Sequence, residues 1–413
     1  MPGHLINVSN INTAKKLENS LFDEKKNKEV IKKVATKCYF PANNLMLEQI
    51  DLYKSQKKKF KIAYSLSGVF LDTIERHEPD LLESFKQLAK TGCVEFLNET
   101  YYHSLSSFWG EGIKREEFED QVRMNREAVK SLFGYDAKVF RNTELLFNNM
   151  IAKTVEKMGY IGMLSEGIEW ILDGWRSPEH VYGVKDSNLG ILLRHYKLSD
   201  DMSYRFSARW FSGWPVTAEK YAHWLSKCPG ETINLFMDYE TFGEHQWEDT
   251  GIFDFLKQLP YEVLKTEHMD FATPTEVIKR YPKRGNIDVS VYDTISWADL
   301  ERDPSAWLGN DMQRFVFREL ERVGDFVRAT KDASLMSIWR NLQTSDHLYY
   351  MCTKNWGDGD VHKYFSPYGT PQEAFEGMVK SISQLEFVAK KTLENQKNHR
   401  LLSKFTDLSS FKI

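Results

Sequence analysis

The sequence predicts an α/β protein with a parallel, barrel-like sheet in its first two-thirds and a helical bundle behind it. Two observations carry that prediction. Short apolar runs alternate with amphipathic helical repeats up to about residue 290, and past that point the strand signals stop. A third observation bears on function: several of the strand segments end in carboxylates.

Seven segments read as strands: KIAYSL (61–66), CVEFL (93–97), AKVF (137–140), YIGML (160–164), GILLRHY (190–196), NLFMDY (234–239) and HMDFAT (268–273). Most are near-continuous apolar runs, the pattern of parallel strands covered on both faces. Between them lie helical repeats at 78–92, 116–134 and 148–159, the first two ending in or beside glycine. Six or seven such units suggest a closed or nearly closed barrel. Downstream, 305–330, 333–353 and 370–396 all read as helices, the last with Thr370 as N-cap and Pro371 at the first helical position. The expected division is an atypical segment 1–20, a barrel over 21–289 and a helical domain over 290–413.

Composition narrows the partners. Of 413 residues, 41% are hydrophobic and 28% charged, and the net charge of -4 offers no basic field for nucleic acid. Cys38, Cys93, Cys228 and Cys352 form no CxxC pair, which argues against a zinc cluster or disulfide framework and fits a reducing cytoplasm. The start, MPGHLINVSN, lacks the charged and apolar regions of a signal peptide, and no run approaches the length of a membrane span. Aromatic residues reach 14%, enough to supply both core and sugar-stacking platforms; Trp214 and Trp247 are candidates for the latter.

In a parallel barrel the functional rim is where strands end. GCVEFLNETYYHS delivers Glu95, Glu99 and His103; KVFRNTELLFNN delivers Arg141 and Glu144; LFMDYETFGEH delivers Asp238 and Glu240; LSDDMSYRFS adds Asp200 and Asp201. Singly, each acid is explained as a helix cap or a solvated turn, and His103 as a packed histidine. Together they gather like charges at one rim, which is costly unless the charges act. Metal binding would call for several histidines, and no HxH or HxxxH occurs. Glycoside hydrolysis calls for two carboxyl groups, one a nucleophile and the other a proton donor of raised pKa.

RNTELLFNN, DYETFGEHQW and GCVEFLNETYYHS resemble conserved regions of glycoside hydrolase family 57, nearest to its α-amylase-like members. LLRHYKLSDDMSYRFS and SWADLERDPSAWLGNDMQ resemble further segments, and the resemblance runs from about residue 21 to about residue 390. It implies an incomplete (β/α)7 barrel followed by helices, action on α-glucans or maltooligosaccharides with retention, and no metal or organic cofactor. It implies Glu144 as nucleophile and Asp238 as general acid/base. It further implies substrate-binding roles for Glu95, His103, Asp201 and Trp307, with Glu240 orienting the site or closing its rim.

One element of the resemblance is absent. Family members begin with a strand ending in His-Gln-Pro, and no such tripeptide occurs; His4 is followed by Leu5. A displaced start or a rearrangement would account for it, and the expectation is a missing or replaced first strand with low activity. Three rivals to a hydrolase follow: a 4-α-glucanotransferase or branching enzyme, a catalytically silent glucan-binding protein, and a zinc-dependent deacetylase.

Overall fold

Six short strands carry the sheet structure: β1 (Ile62–Ser65), β2 (Val94–Leu97), β3 (Val139–Phe140), β4 (Gly162–Glu166), β5 (Val181–Tyr182) and β6 (Gly190–Arg194). They belong to a computed structural model that describes Leu5 and residues 13–109, 113–354 and 366–409; for 113–114 and 400–409 it describes the backbone alone. β1 and β2 form a parallel pair, and the other four form a sheet in the order β3-β4-β6-β5, parallel except for β5. A single parallel bridge, Asn98 to Phe140, joins the end of β2 to β3.

Five of the seven expected strands appear at their expected places. The other two do not form ladders. Asn234 makes one parallel bridge to Arg194, and beyond it side chains take the backbone groups. The Phe236 N–H donates to Ser199 Oγ at 3.3 Å, and its carbonyl accepts from Arg194 Nε at 2.7 Å. Backbone groups satisfied in this way have no need of a neighbouring strand. In the segment 268–273, Thr273 instead forms a capping box with Glu276 at the start of the helix Pro274–Arg280. Among the described residues the chain is therefore mostly helical, with a small sheet, and the ladder does not run continuously through seven strands. The segment HLINVSNI and His4 lie outside the described residues, Leu5 excepted, as do residues 410–413 of the tail.

The chain divides into two compact units. One comprises Lys28–Tyr101 and Glu116–Pro304 and carries all six strands. Its parallel strands β2, β3, β4 and β6 are fully buried, and β1 is half-buried; Gly162 and Gly190 face each other in register, and Ile278 packs where their side chains would be. The other unit comprises Met1–Asn27, Tyr102–Arg115 and Ser305–Ile413 and is helical. There Asn310 and Gln313 form a capping box that opens the helix Asp311–Thr330. The Trp339 indole donates to Leu320 O at 2.7 Å, and Arg322 reaches Glu386 on the helix Pro371–Ser409 at 2.6 Å. Thr370 caps that last helix, its hydroxyl accepting from the Glu373 N–H at 3.2 Å.

Candidate active site

β3 is two residues long, and the chain leaves it through Arg141-Asn142-Thr143 into a tight turn holding Glu144. Glu144 and Leu145 both adopt left-handed backbone, with φ of 55° and 52°. Neither is glycine, so the turn is strained, and such strain persists only where surrounding bonds over-determine it. Those bonds come from the segment after Ile295, which pairs with Phe147 through two backbone hydrogen bonds of 3.0 Å. Ser296 Oγ donates to the Glu144 carbonyl at 2.8 Å, and the Trp297 N–H reaches the same carbonyl at 3.4 Å. The Trp297 indole Nε1–H donates to Glu144 Oε2 at 2.8 Å.

Asp238 follows the segment that bridges to β6 and stands at the mouth of a one-turn helix, Tyr239–Thr241. Its residue surface is open to solvent, yet protein atoms crowd the carboxyl on enough sides to strip part of its hydration. That desolvation pushes its pKa up to about 6, helped by the negative charges of Glu240 and Glu144 and opposed by His245 and Arg141. Glu144 and Asp238, which the sequence places on different strands, thus lie near enough to feel each other's charge.

The flank of this loop is helical. The helix Glu24–Val34 passes through a π-turn, Ala35–Tyr39, into the helix Phe40–Tyr53. The Tyr39 hydroxyl donates to Glu240, and Cys38 Sγ donates to the Tyr239 carbonyl at 3.3 Å. Burial, followed by the charge of Glu240, holds the Tyr39 hydroxyl well above its ordinary pKa, so it remains a donor. Tyr239 O–H donates to Asn43 Oδ1 at 2.8 Å, and Gly243, at φ 120°, lies against the Lys37 carbonyl where a Cβ could not fit. Glu244 takes Lys33 and Lys37 at 2.7 and 3.0 Å. Burial works to raise the pKa of Glu244, and the two ammonium groups outweigh it, leaving the carboxyl below its ordinary value.

The remaining expected residues fall in several places. Glu95 is buried on β2, with Thr275 N–H and Oγ1 donating to its two carboxylate oxygens at 2.9 and 2.6 Å. It is 1% exposed and anchors the start of the helix Pro274–Arg280. Asp201 accepts from Arg205 Nε at 2.6 Å, whereas its neighbour Asp200 is buried and bound by two arginines. Trp214 and Trp247 are exposed, the latter with Lys37 Nζ 4.9 Å from its ring centre. His103 and Trp307 belong to the helical unit. The His103 carbonyl accepts from the Ser345 N–H at 2.9 Å, and Trp307, 2% exposed, packs near Tyr349.

Trp297, Arg194, Glu166 and Arg302 escaped the sequence reading. One of them left a signal: Arg194 is a charge inside the apolar run GILLRHY, where only a buried partner makes it tolerable. A separate group of ligating side chains, Glu179, His195 and Cys228, has its donor atoms within 4.8 Å of one another. His195 Nδ1 accepts from the Leu198 N–H at 3.4 Å, which leaves the ring proton on Nε2, 3.5 Å from Glu179. The imidazole is thereby engaged at both nitrogens within the protein.

Comparison with known proteins extends this picture. The sequence profile described as Glycosyl hydrolase family 57 matches residues 9–290. A Methanocaldococcus jannaschii protein named "Putative alpha-amylase" is 46% identical over 389 residues, 92% of this chain and 81% of that one. An α-amylase of Pyrococcus furiosus is 21% identical over 276 residues, 65% of this chain and 40% of the relative's length. The chain thus spans less than half of the Pyrococcus protein. Among solved structures, a branching enzyme of Pyrococcus horikoshii superposes with a TM-score of 0.62 at 12% identity, covering 88% of this chain and 90% of that one. A 4-α-glucanotransferase of Thermococcus litoralis gives 0.60 at 17% identity over 77% of this chain and 53% of that one.

Proposed function

We propose, since this chain belongs to glycosyl hydrolase family 57, that it cleaves α-1,4-glucosidic bonds of α-glucans with retention, through Glu144 and Asp238. The observation that carries the reading is the pairing of a strained, hydrogen-bonded Glu144 with an Asp238 whose pKa is pushed up to about 6 by burial and by neighbouring carboxylates. Near neutrality such a group is protonated in an appreciable fraction of molecules, as a general acid must be.

In the first step a Glu144 oxygen forms a bond to the anomeric carbon as the glycosidic bond breaks, and the departing oxygen takes the proton of Asp238. In the second, Asp238 removes a proton from water, whose oxygen bonds to the anomeric carbon. The ester bond to Glu144 breaks as that bond forms, and its electron pair returns to the carboxylate. A sugar hydroxyl in place of that water makes the same cycle a transfer. The name of the 46% identical relative favours hydrolysis.

Purified protein is to be incubated with maltoheptaose and the products separated by chromatography. Shorter oligosaccharides alone mean hydrolysis; longer ones as well mean transfer. Asp238→Asn should cost about 10²- to 10⁴-fold in rate, the usual contribution of a general acid/base, and Glu144→Gln at least as much. Unchanged turnover in either variant refutes the assignment. Glycogen binding without any product would instead mark a silent glucan-binding protein.

A further inference from the structure

Trp297 is the residue that the proposed chemistry has not used, and it touches Glu144 at both ends. Its indole Nε1–H lies 2.8 Å from Oε2, and its own N–H and the neighbouring Ser296 hydroxyl reach the Glu144 carbonyl. An indole donates and has no lone pair to offer a hydroxyl proton. A donor held against one carboxylate oxygen favours the anion over the acid, because the charged form makes the stronger hydrogen bond.

The indole is itself held. The Arg141 guanidinium lies 4.8 Å from its ring centre and that of Arg194 5.8 Å. Cations near the ring draw electron density from it and sharpen the N–H as a donor. Arg302 donates to the Trp297 carbonyl. Arg194 and Arg302 are tied together by two acids: Glu166 Oε2 takes them at 3.0 and 3.3 Å, and Asp200 takes Arg302 at 3.0 Å and Arg194 through its other oxygen. Two cations and two anions close a neutral ring. Glu166 is 0% exposed and Arg194 2%, so the ion pairs at the centre of this group are shut off from water.

We propose that Trp297 is the positioning residue of the nucleophile: it keeps Glu144 ionised and aimed, and receives it as a leaving group when the glycosyl ester breaks. This rests on the reading of Glu144 as nucleophile. In the ester the carboxylate charge is gone and the indole bond weakens. As the ester bond cleaves, the electron pair returns to Glu144 and the bond strengthens again, so the contact helps the second step. The strained turn at Glu144 is explained by the same grip, since Ser296 and Trp297 clamp its backbone while the indole clamps its side chain. The charged groups around the pair are Arg141, Asp238, Glu240 and His245, together with Arg194 and Arg302 and the acids Glu166 and Asp200 that hold them.

The test has two arms. In the kinetic arm, Trp297→Phe keeps the ring and loses the N–H. It should lower kcat on maltoheptaose about 10- to 100-fold, the value of one hydrogen bond to a charged group, with KM little changed. The acidic limb of its pH profile should move to higher pH. An unchanged kcat and acidic limb overturn the proposal. The second arm needs no turnover: the Trp297 indole Nε1–H resonance is followed by ¹H–¹⁵N NMR in the wild-type chain and in Glu144→Gln. A shift between the two, and a pH titration seen only in the wild type, uphold the contact; identical spectra overturn it. If the wild-type chain turns over no glucan while the resonance still follows Glu144, the enzymatic reading falls and the contact stands. Should Trp297→Phe fail to fold, the NMR arm alone decides.

Discussion

At the scale of single residues, Asp238 is set against the stability of the unit that contains it. Its pKa is about 6 folded and near 3.9 in an unfolded chain. Between these values the folded state holds more protons than the unfolded state, so stability falls as pH rises from about 4 to about 6 and stays at its reduced level above. The residue as a whole remains exposed although its carboxyl is crowded, which keeps the effect modest. Asp238→Asn removes the penalty. Its midpoint of thermal unfolding should match or exceed that of wild type at pH 7.5, and the advantage should disappear near pH 4. A variant less stable than wild type at pH 7.5 would contradict this. Asp238 and Glu144 stood out in the sequence because DYETFGEHQW and RNTELLFNN resemble conserved regions of a known family. Trp297 did not, because an indole in SWADLERD carries no mark of its partner 153 residues earlier.

Secondary-structure elements show where local pattern suffices. The helix expected over 305–330 is announced by its apolar periodicity; in the structure Asn310 interrupts it and caps the helix Asp311–Thr330. What pattern leaves open is the face it buries. Gly324 sits under the Trp339 ring, where an added Cβ would come within 2.3 Å of Cζ2. That ring is fully buried and its indole is tied to Leu320 O, so it cannot step aside. Gly324→Ala, which improves helix propensity, should therefore destabilise by about 1–3 kcal/mol through overpacking, read from urea unfolding; a stabilised variant would show that the ring yields. The two expected strands that failed, 234–239 and 268–273, are the converse case. Their backbone groups found side chains and caps, which apolar content alone cannot reveal.

On the scale of the whole molecule, the helical unit is assembled from three stretches of chain, Met1–Asn27, Tyr102–Arg115 and Ser305–Ile413. Leu17 and Leu21 on the helix Ala14–Leu21 are fully buried, and that helix lies against Ala333–Asn341 and Pro371–Ser409. A chain ending at Pro304 keeps the first two stretches and loses the helices that cover them. It should bind a hydrophobic dye strongly and aggregate where the full chain does not; a monodisperse, dye-silent product would show that those stretches find other cover. No helix among the described residues is long and apolar enough to cross a membrane. The sequence by itself determined the α/β alternation and the later helices, because periodicity is a local property read from neighbours, and it pointed to Glu144 and Asp238 through motifs that resemble those of a known family. Only the tertiary structure decided that Glu95 and Asp200 are tied into the fold, by Thr275 and by two arginines, because those partners lie far away or unmarked in the sequence. It also decided that Glu144 is gripped by Trp297, since a hydrogen bond depends on distance in space and the chain records only order.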